Sequence, residues 1–138
     1  MIPAVSTEAE SIPVRSSEDV VKVRQAVRSR AMDLGFSLVE QTKIVTAASE
    51  LARNTLTYGG GGEARLERLY DGPKRMGLRL TFEDRGPGIS NIELALTDGY
   101  TTGGGLGLGL GGAKKLSHEF DIWSQPGAGT RVTITRWK

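Results

Sequence analysis

Cysteine is absent from this chain of 138 residues, and histidine occurs once, at His118. The first absence excludes disulfides and thiolate zinc sites, and the second excludes any site that needs two imidazoles. No apolar run approaches the roughly 20 residues of a membrane span, and residues 1–12 lack the apolar centre of a signal peptide. We therefore expect a cytoplasmic protein with no membrane partner, whose chemistry comes from carboxylates, amides, hydroxyls and backbone groups.

An excess of charge of one sign is also missing. The chain has 18 Lys and Arg residues and 16 Asp and Glu residues, a net charge of +2, and its basic residues are scattered along the sequence. This distribution does not predict a nucleic-acid partner. The length suits one domain with one modest core, and we expect a flexible N-terminal arm over residues 1–10 and a single domain over residues 11–138.

Hydrophobic periodicity gives the expected secondary structure. Apolar residues recur every three or four positions before Gly35 and again after Ser37, which predicts two amphipathic helices. Strict alternation over residues 76–83 predicts a strand with one buried face. Further strands are expected at residues 11–15, 64–70, 120–124 and 131–136, and short helices at residues 91–97 and 108–117. This order predicts a mostly antiparallel sheet with helices packed on one face.

Glu50 and Asn54 stand four residues apart on the second predicted helix, so both project from one face. Mg²⁺ prefers hard oxygen ligands and keeps several waters, so one amide oxygen together with phosphate oxygens can hold it. A neighbouring carboxylate could deprotonate an attacking hydroxyl. The same pair would equally suit the solvated face of an amphipathic helix.

Asp84 follows the alternating strand and opens the segment Asp84-Arg85-Gly86-Pro87-Gly88. An aspartate at a strand end can accept a hydrogen bond from an exocyclic amine, and Gly86 and Gly88 let a planar base approach the backbone. A simple Gly-Pro-Gly turn capped by the aspartate is the alternative.

A glycine run over residues 103–112 precedes a predicted helix, and N–H groups at a helix start bind phosphate well. Leucine at every second position from Leu106 to Leu110 indicates an ordered segment, since a flexible linker would lack it. The run lacks the strand and βαβ frame of a Rossmann fingerprint.

Four boxes in order, Glu50-x-x-x-Asn54, Asp84-x-Gly86-x-Gly88, Gly105-x-Gly107-x-Gly109 and Gly127-x-Gly129-Thr130, resemble those of the GHKL superfamily of gyrase, Hsp90, histidine-kinase and MutL ATP-binding domains. The stretches over residues 46–54 and 98–107 resemble the anti-sigma-factor type serine/threonine kinases, in particular the RsbT-type switch kinases of stressosomes.

This resemblance implies the GHKL (Bergerat) fold, which is an α/β (α+β) two-layer sandwich with a mixed, mostly antiparallel sheet and helices on one face. It also implies ATP and Mg²⁺ as cofactors, and a role for each box. Asn54 would hold Mg²⁺, Glu50 would act as the catalytic base, and Asp84, with Gly86 and Gly88, would read adenine. Thr130 would reach the adenine side directly or through water. Arg53 would either contact a phosphate or pair with an acidic neighbour. The residues expected to fold over the phosphates are Gly104, Gly105, Leu106, Gly107 and Gly109.

The resemblance also implies partners. A kinase of this type would phosphorylate a serine or threonine of a STAS-domain antagonist protein and, once released, would bind and activate a PP2C-type phosphatase. Two alternatives stay open: a non-catalytic module that sequesters a partner with ATP as a structural ligand, and a homodimer that holds a sigma factor.

Overall fold

The computed structural model describes residues 5–96 and 109–138. Five strands and four helices follow one another in the predicted order. They are β1 (Val5–Val14), α1 (Ser17–Asp33), α2 (Leu38–Thr57), β2 (Gly62–Tyr70), β3 (Met76–Asp84), α3 (Ile92–Ala95), α4 (Gly109–Lys115), β4 (Glu119–Gln125) and β5 (Gly129–Trp137).

The strands form one sheet in the order β1-β2-β3-β5-β4, and every pairing between these described strands is antiparallel. β3 lies at the centre. Its last residue, Asp84, pairs with Gly62 of β2 on one side and with Thr130 of β5 on the other. The carboxylate at the end of β3 therefore lies between two neighbouring strand ends.

Local sequence explains where the two long helices begin. The side chain of Ser16 accepts a hydrogen bond from the backbone N–H of Asp19, and that of Ser37 accepts one from the N–H of Glu40. Each serine satisfies a donor that the first helical turn leaves without an intrahelical partner. Gly35, with φ of 82°, takes the left-handed conformation that lets α1 turn into α2.

The core lies between the helices and one face of the sheet. On β3 the alternating residues Leu78, Leu80 and Phe82 are at most 2% exposed. They belong to the same buried cluster as Leu51 of α2 and Ile134 of β5. Burial of each such side chain contributes about 1.5–3 kcal/mol, so the two layers are held together mainly by this face.

The predicted start of the first strand needs correction, because β1 begins at Val5 and not near residue 11, so residues 5–10 of the expected N-terminal arm belong to the sheet. A register shift between Thr7 and Glu10 bends the strand, and Glu8 has φ of 52°. Ion pairs from Glu8 to Arg68 of β2 and from Glu10 to Arg30 of α1 hold the segment. Those partners are distant in sequence, so the local pattern could not reveal them.

The other predicted boundaries agree to within a few residues. Asn91 caps α3 instead of lying within it, and α3 is a single turn. Residues 97–108, which include the end of one predicted short helix and the start of the next, lie outside the described residues. In the part of the chain that the structure describes, no helix is both long enough and apolar enough to cross a membrane.

Candidate functional site

A cleft of about 380 Å³ opens between α2 and the ends of β3 and β5. Its walls combine apolar side chains with a few polar groups, the composition typical of small-molecule sites. The residues that line it are Leu51, Asn54, Thr55, Tyr58, Gly59, Phe82, Asp84, Pro87, Gly88, Ile89, Ser90, Asn91, Leu94, Ala95, Gly109, Leu110, Thr130 and Val132. Each of the four sequence boxes therefore contributes at least one residue to one cavity.

The α2 side of the cleft is formed by one helical stripe. Leu51, Asn54, Thr55 and Tyr58 recur at three and four residues, so they share one face. Thr55 donates its hydroxyl to the carbonyl of Leu51 at 2.9 Å, which leaves its methyl group and Leu51 as apolar wall. Asn54 is the residue of this stripe with an amide oxygen available as a metal ligand.

Glu50 lies one turn before Asn54 and is not among the residues that line the cleft. Its carboxylate Oε1 is 2.8 Å from Nη1 of Arg53, and the Glu50 side chain is 23% exposed. Arg53 is the more exposed partner, at 53%, and also lies outside the lining. We expected Arg53 either to contact a phosphate or to pair with an acidic neighbour, and in the structure it pairs with Glu50.

Asp84 is half-buried at the end of β3. Burial is the main influence on its carboxyl group and raises the pKa above the ordinary value, while hydrogen bonds from the backbone N–H groups of Gly86 and Thr130 act in the opposite direction. The Gly86 N–H donates to Oδ1 at 2.9 Å. Asp84 thus presents a fixed, partly desolvated acceptor to the cleft.

The loop after Asp84 rests on the β4–β5 hairpin. The N–H of Gly127 donates to the carbonyl of Pro87 at 2.8 Å, and the N–H of Ile89 donates to Oγ of Ser124 at 2.7 Å. Gly88 has φ of 76°, and a Cβ there would lie 2.2 Å from the carbonyl oxygen of Gln125. Glycine is therefore required at position 88 for both conformation and space.

Two glycines bring the end of α2 against this loop. A Cβ on Gly59 would lie 2.3 Å from Cγ of Asp84, and a Cβ on Gly86 would lie 2.7 Å from Cα of Gly59. Gly86 itself is not a lining residue, whereas Gly59 and Gly88 are. The role of Gly86 in the structure is to let the backbone of the loop after Asp84 come close to the backbone at Gly59.

Thr130 lines the cleft directly opposite Asp84 in the sheet register. Its Oγ1 is 2.8 Å from Oγ of Ser124 on β4. Phe82 and Val132, which are paired across β3 and β5, form the apolar floor beside it.

Of the predicted glycine run, Gly109 and Leu110 are described and line the cleft. Gly109 has φ of 48° and begins α4, and Leu110 is 8% exposed. Gly104, Gly105, Leu106 and Gly107 lie outside the described residues, so their expected contacts with phosphates stay predictions.

Sequence reasoning missed Gly59, Ser124 and the apolar walls. Tyr58 and Leu94 could have been found, because Tyr58 lies four residues after Asn54 and Leu94 lies six residues after Gly88. Gly59 and Ser124 act through contacts with residues far along the chain, which no local pattern reports.

The donors in the cleft fit a magnesium nucleotide. Asp84 and Thr130 offer oxygen acceptors beside an apolar floor, as a base with an exocyclic amine requires. Asn54 offers one hard oxygen, and a Mg²⁺ ion held there would take its other ligands from phosphate oxygens and water.

The comparison with known families defines the class. Residues 39–138 match the family described as histidine kinase-, DNA gyrase B-, and HSP90-like ATPase, and the chain belongs to that family. The expected GHKL fold is thereby confirmed. A crystal structure of the RsbU and RsbW domains of a Mycobacterium tuberculosis protein superimposes with a TM-score of 0.61 at 20% identity. That likeness, which covers 94% of this chain and 32% of the other chain, concerns the fold alone.

Individual relatives are more specific. The chain is 43% identical over 126 residues to the serine/threonine-protein kinase RsbT of Bacillus subtilis (strain 168), an alignment that covers 91% of this chain and 94% of that protein. It is 26% identical over 126 residues to an anti-sigma F factor of Clostridium kluyveri, with 89% of each chain covered. The resemblance to the anti-sigma-factor type kinases, and with it the expected enzyme class of protein serine/threonine kinase, is confirmed by these similarities.

Proposed function

We propose that this chain is a Mg-ATP-dependent serine/threonine protein kinase that works by partner switching in the cytoplasm. One observation carries the proposal: Asn54, Asp84 and Thr130, from three separate elements, line the same cleft in a chain 43% identical to a serine/threonine-protein kinase. Each of the three has the chemistry that its proposed role requires.

The base side of the proposed site is formed by Asp84 and Thr130. Asp84 accepts a hydrogen bond from the exocyclic amine of adenine, and its half-buried position strengthens that bond because water competes less. Phe82 and Val132, which line the cleft, would cover one face of the ring, and Gly88 would allow the base to approach the loop backbone.

The phosphate side is formed by Asn54 and the glycines from Gly104 to Gly109. The Asn54 amide oxygen would hold Mg²⁺, and the bound ion would neutralise part of the phosphate charge. The N–H groups of Gly104, Gly105, Leu106 and Gly107 are proposed as phosphate donors together with Gly109, the one member of this set with a described position.

Glu50 is proposed as the general base. The substrate hydroxyl oxygen attacks the γ-phosphorus, its proton passes to the Glu50 carboxylate, and the bond to the β-phosphate oxygen breaks to release ADP. Until a substrate arrives, the Arg53 guanidinium holds the Glu50 carboxylate in place through the 2.8 Å hydrogen bond to Oε1. Arg53 can also contact a phosphate once Glu50 turns toward the hydroxyl.

The substrate we propose is a serine or threonine of a STAS-domain antagonist protein, with a PP2C-type phosphatase as the partner that is activated after release. A stress-response pathway of the stressosome type is the proposed setting. The similarity to RsbT across 91% of the chain supports this assignment.

A second candidate, an ATP-binding anti-sigma factor or sequestering module, is favoured by the 26% identity to an anti-sigma F factor. It predicts a stable complex with a sigma factor and no phosphorylated partner.

Replacement of Glu50 tests the proposal. In Glu50→Gln, Mg-ATP should still bind within about threefold of wild type, whereas phosphoryl transfer to a purified STAS-domain protein should fall about 100-fold or more, since general-base catalysis is worth about that much. Isothermal titration gives binding and γ-labelled ATP gives transfer.

Glu40→Gln is the matched control, because Glu40 also lies on α2 but in its first turn, next to the Ser37 cap. It should leave both quantities unchanged. Transfer that persists in Glu50→Gln would remove Glu50 from its role, and the absence of Mg-ATP binding in wild type would refute the proposed function as a whole.

A further inference from the structure

Ser124 has three polar neighbours around a single hydroxyl oxygen. Near the end of β4, its Oγ lies 2.7 Å from the backbone nitrogen of Ile89, 3.0 Å from the carbonyl oxygen of Gly129 and 2.8 Å from Oγ1 of Thr130. The side chain is partly buried and joins the loop after Asp84 to the start of β5.

Counting protons fixes the direction of these bonds. A serine hydroxyl has one proton and two lone pairs. The Ile89 N–H can only donate and the Gly129 carbonyl can only accept. Ser124 Oγ therefore accepts a hydrogen bond from the Ile89 N–H and donates its own proton to the Gly129 carbonyl. Its second lone pair remains, and the contact with Thr130 becomes a hydrogen bond only if Thr130 is the donor. This is the one arrangement in which all three contacts are hydrogen bonds.

The Thr130 hydroxyl is then left with lone pairs and no proton to offer. Thr130 lines the cleft and pairs with Asp84 across the sheet, where neighbouring Cα atoms are about 4.5–5.5 Å apart. Two acceptors, the Asp84 carboxylate and Thr130 Oγ1, therefore face the same end of the cleft.

We infer that Ser124 is a positioning residue that holds Thr130 as a hydrogen-bond acceptor and thereby makes the cleft select a 6-aminopurine nucleotide over a 6-oxopurine nucleotide. An amine at C6 offers two N–H groups to the two acceptors. A carbonyl at C6 replaces both of these donors with a third acceptor, so the C6 substituent offers no proton to Asp84 or to Thr130 Oγ1, and this polar mismatch penalises binding. The inference rests on the proposed function, since it assumes that the cleft binds a purine nucleotide.

Loss of the Ser124 hydroxyl releases the Thr130 proton. In Ser124→Ala, Thr130 can rotate and donate to a carbonyl at C6, so the penalty for the oxopurine decreases. A purely structural role, in which Ser124 only tethers Ile89, would weaken the binding of both nucleotides by the same factor and leave their ratio unchanged.

The test measures dissociation constants of ATP and inosine 5′-triphosphate with Mg²⁺ by isothermal titration. The ratio of the inosine triphosphate constant to the ATP constant should fall at least fivefold in Ser124→Ala. The ratio should stay at the wild-type value in Ser124→Thr, because threonine keeps the hydroxyl. Ser117→Ala is the matched control, because Ser117 is also a partly buried serine that donates to a backbone carbonyl, that of Ala113 at 2.7 Å.

Thr130→Val is a nearly isosteric substitution, and it gives a second measurement that does not depend on the folding of Ser124→Ala. It should lower the same ratio, and adding Ser124→Ala to it should produce no further change. An unchanged ratio in Ser124→Ala overturns the inference, and so does a further decrease in the double variant. If wild type binds ATP in either case, the proposed function still stands. Wild type that binds neither nucleotide overturns both.

Discussion

Gly59 occupies a position where one added methyl group should displace the Asp84 side chain and weaken both folding and nucleotide binding. A Cβ at this position would lie 2.3 Å from Cγ of Asp84 and 2.5 Å from both Cβ and Oδ2. Carbon atoms pack at about 3.5–4.0 Å, so in Gly59→Ala the Asp84 side chain must move by about 1 Å or more. That movement breaks the 2.9 Å hydrogen bond from the Gly86 N–H to Oδ1.

The cost of Gly59→Ala can be divided into two parts. Overpacking at a well-packed position lowers the free energy of unfolding by about 1–3 kcal/mol. Loss of a hydrogen bond from the nucleotide to a charged acceptor costs about 1.5–3 kcal/mol, which corresponds to a decrease in ATP affinity of about 10- to 100-fold. Urea denaturation measures the first part and isothermal titration with Mg-ATP measures the second.

Gly60→Ala is the control that isolates the contact with Asp84. Gly60 has φ of 73°, and no atom lies within 4 Å of the position that a Cβ would take, so its substitution strains the backbone without touching the site. It should lower stability by about 1–2 kcal/mol and leave ATP affinity unchanged. The reasoning is refuted if Gly59→Ala binds ATP within twofold of wild type, or if both variants lose affinity equally.

Three further outcomes follow from buried groups. Burial raises the pKa of Asp84, so on acidification the carboxylate is protonated, and ATP affinity lost, at a higher pH than for an exposed aspartate. Asp84→Asn should abolish this pH dependence and most of the ATP affinity, but it should leave the free protein no less stable at pH 7. ATP titrations across pH 4–7 and urea denaturation measure these effects. The hydrogen bond from Arg79 lowers the pKa of Glu67, so the stability that Glu67 contributes is present above its ordinary pKa and is lost as the pH falls through the lowered value. Glu67→Gln should lower the free energy of unfolding by about 1–3 kcal/mol at pH 7. Equal stability of the variant and wild type at that pH would contradict this prediction. Leu80→Ala should cost about 2–5 kcal/mol by urea denaturation because Leu80 is fully buried on the central strand, and a cost below 1 kcal/mol would contradict the assigned core face.

The order of elements could be predicted because each has a local cause. Ser16 and Ser37 cap their helices, and the alternation from Leu78 to Phe82 matches the pleat of one buried face. The strand at Val5–Val14 began earlier than expected, since residues 5–10 are held by partners on β2 and α1 and carry no apolar alternation of their own.

The site was predictable to the extent that its residues form local motifs. Asn54, Asp84 and Thr130 line the cleft together, as the order of the boxes indicated. Ser124 and Gly59 escaped prediction because their roles depend on which strand and which helix end lie beside the loop after Asp84. The proposed roles of Glu50 and Arg53 stay predictions.

Transfer of the γ-phosphate of labelled ATP to a partner tests the central claim most directly. Wild-type chain, Mg-ATP and a purified STAS-domain protein are mixed, and the STAS-domain protein is analysed by mass spectrometry for phosphoserine and phosphothreonine. The account predicts one phosphorylated hydroxyl residue on the partner, formed only when the chain and Mg²⁺ are both present. A partner that binds the ATP-loaded chain tightly and is recovered without phosphate would contradict it.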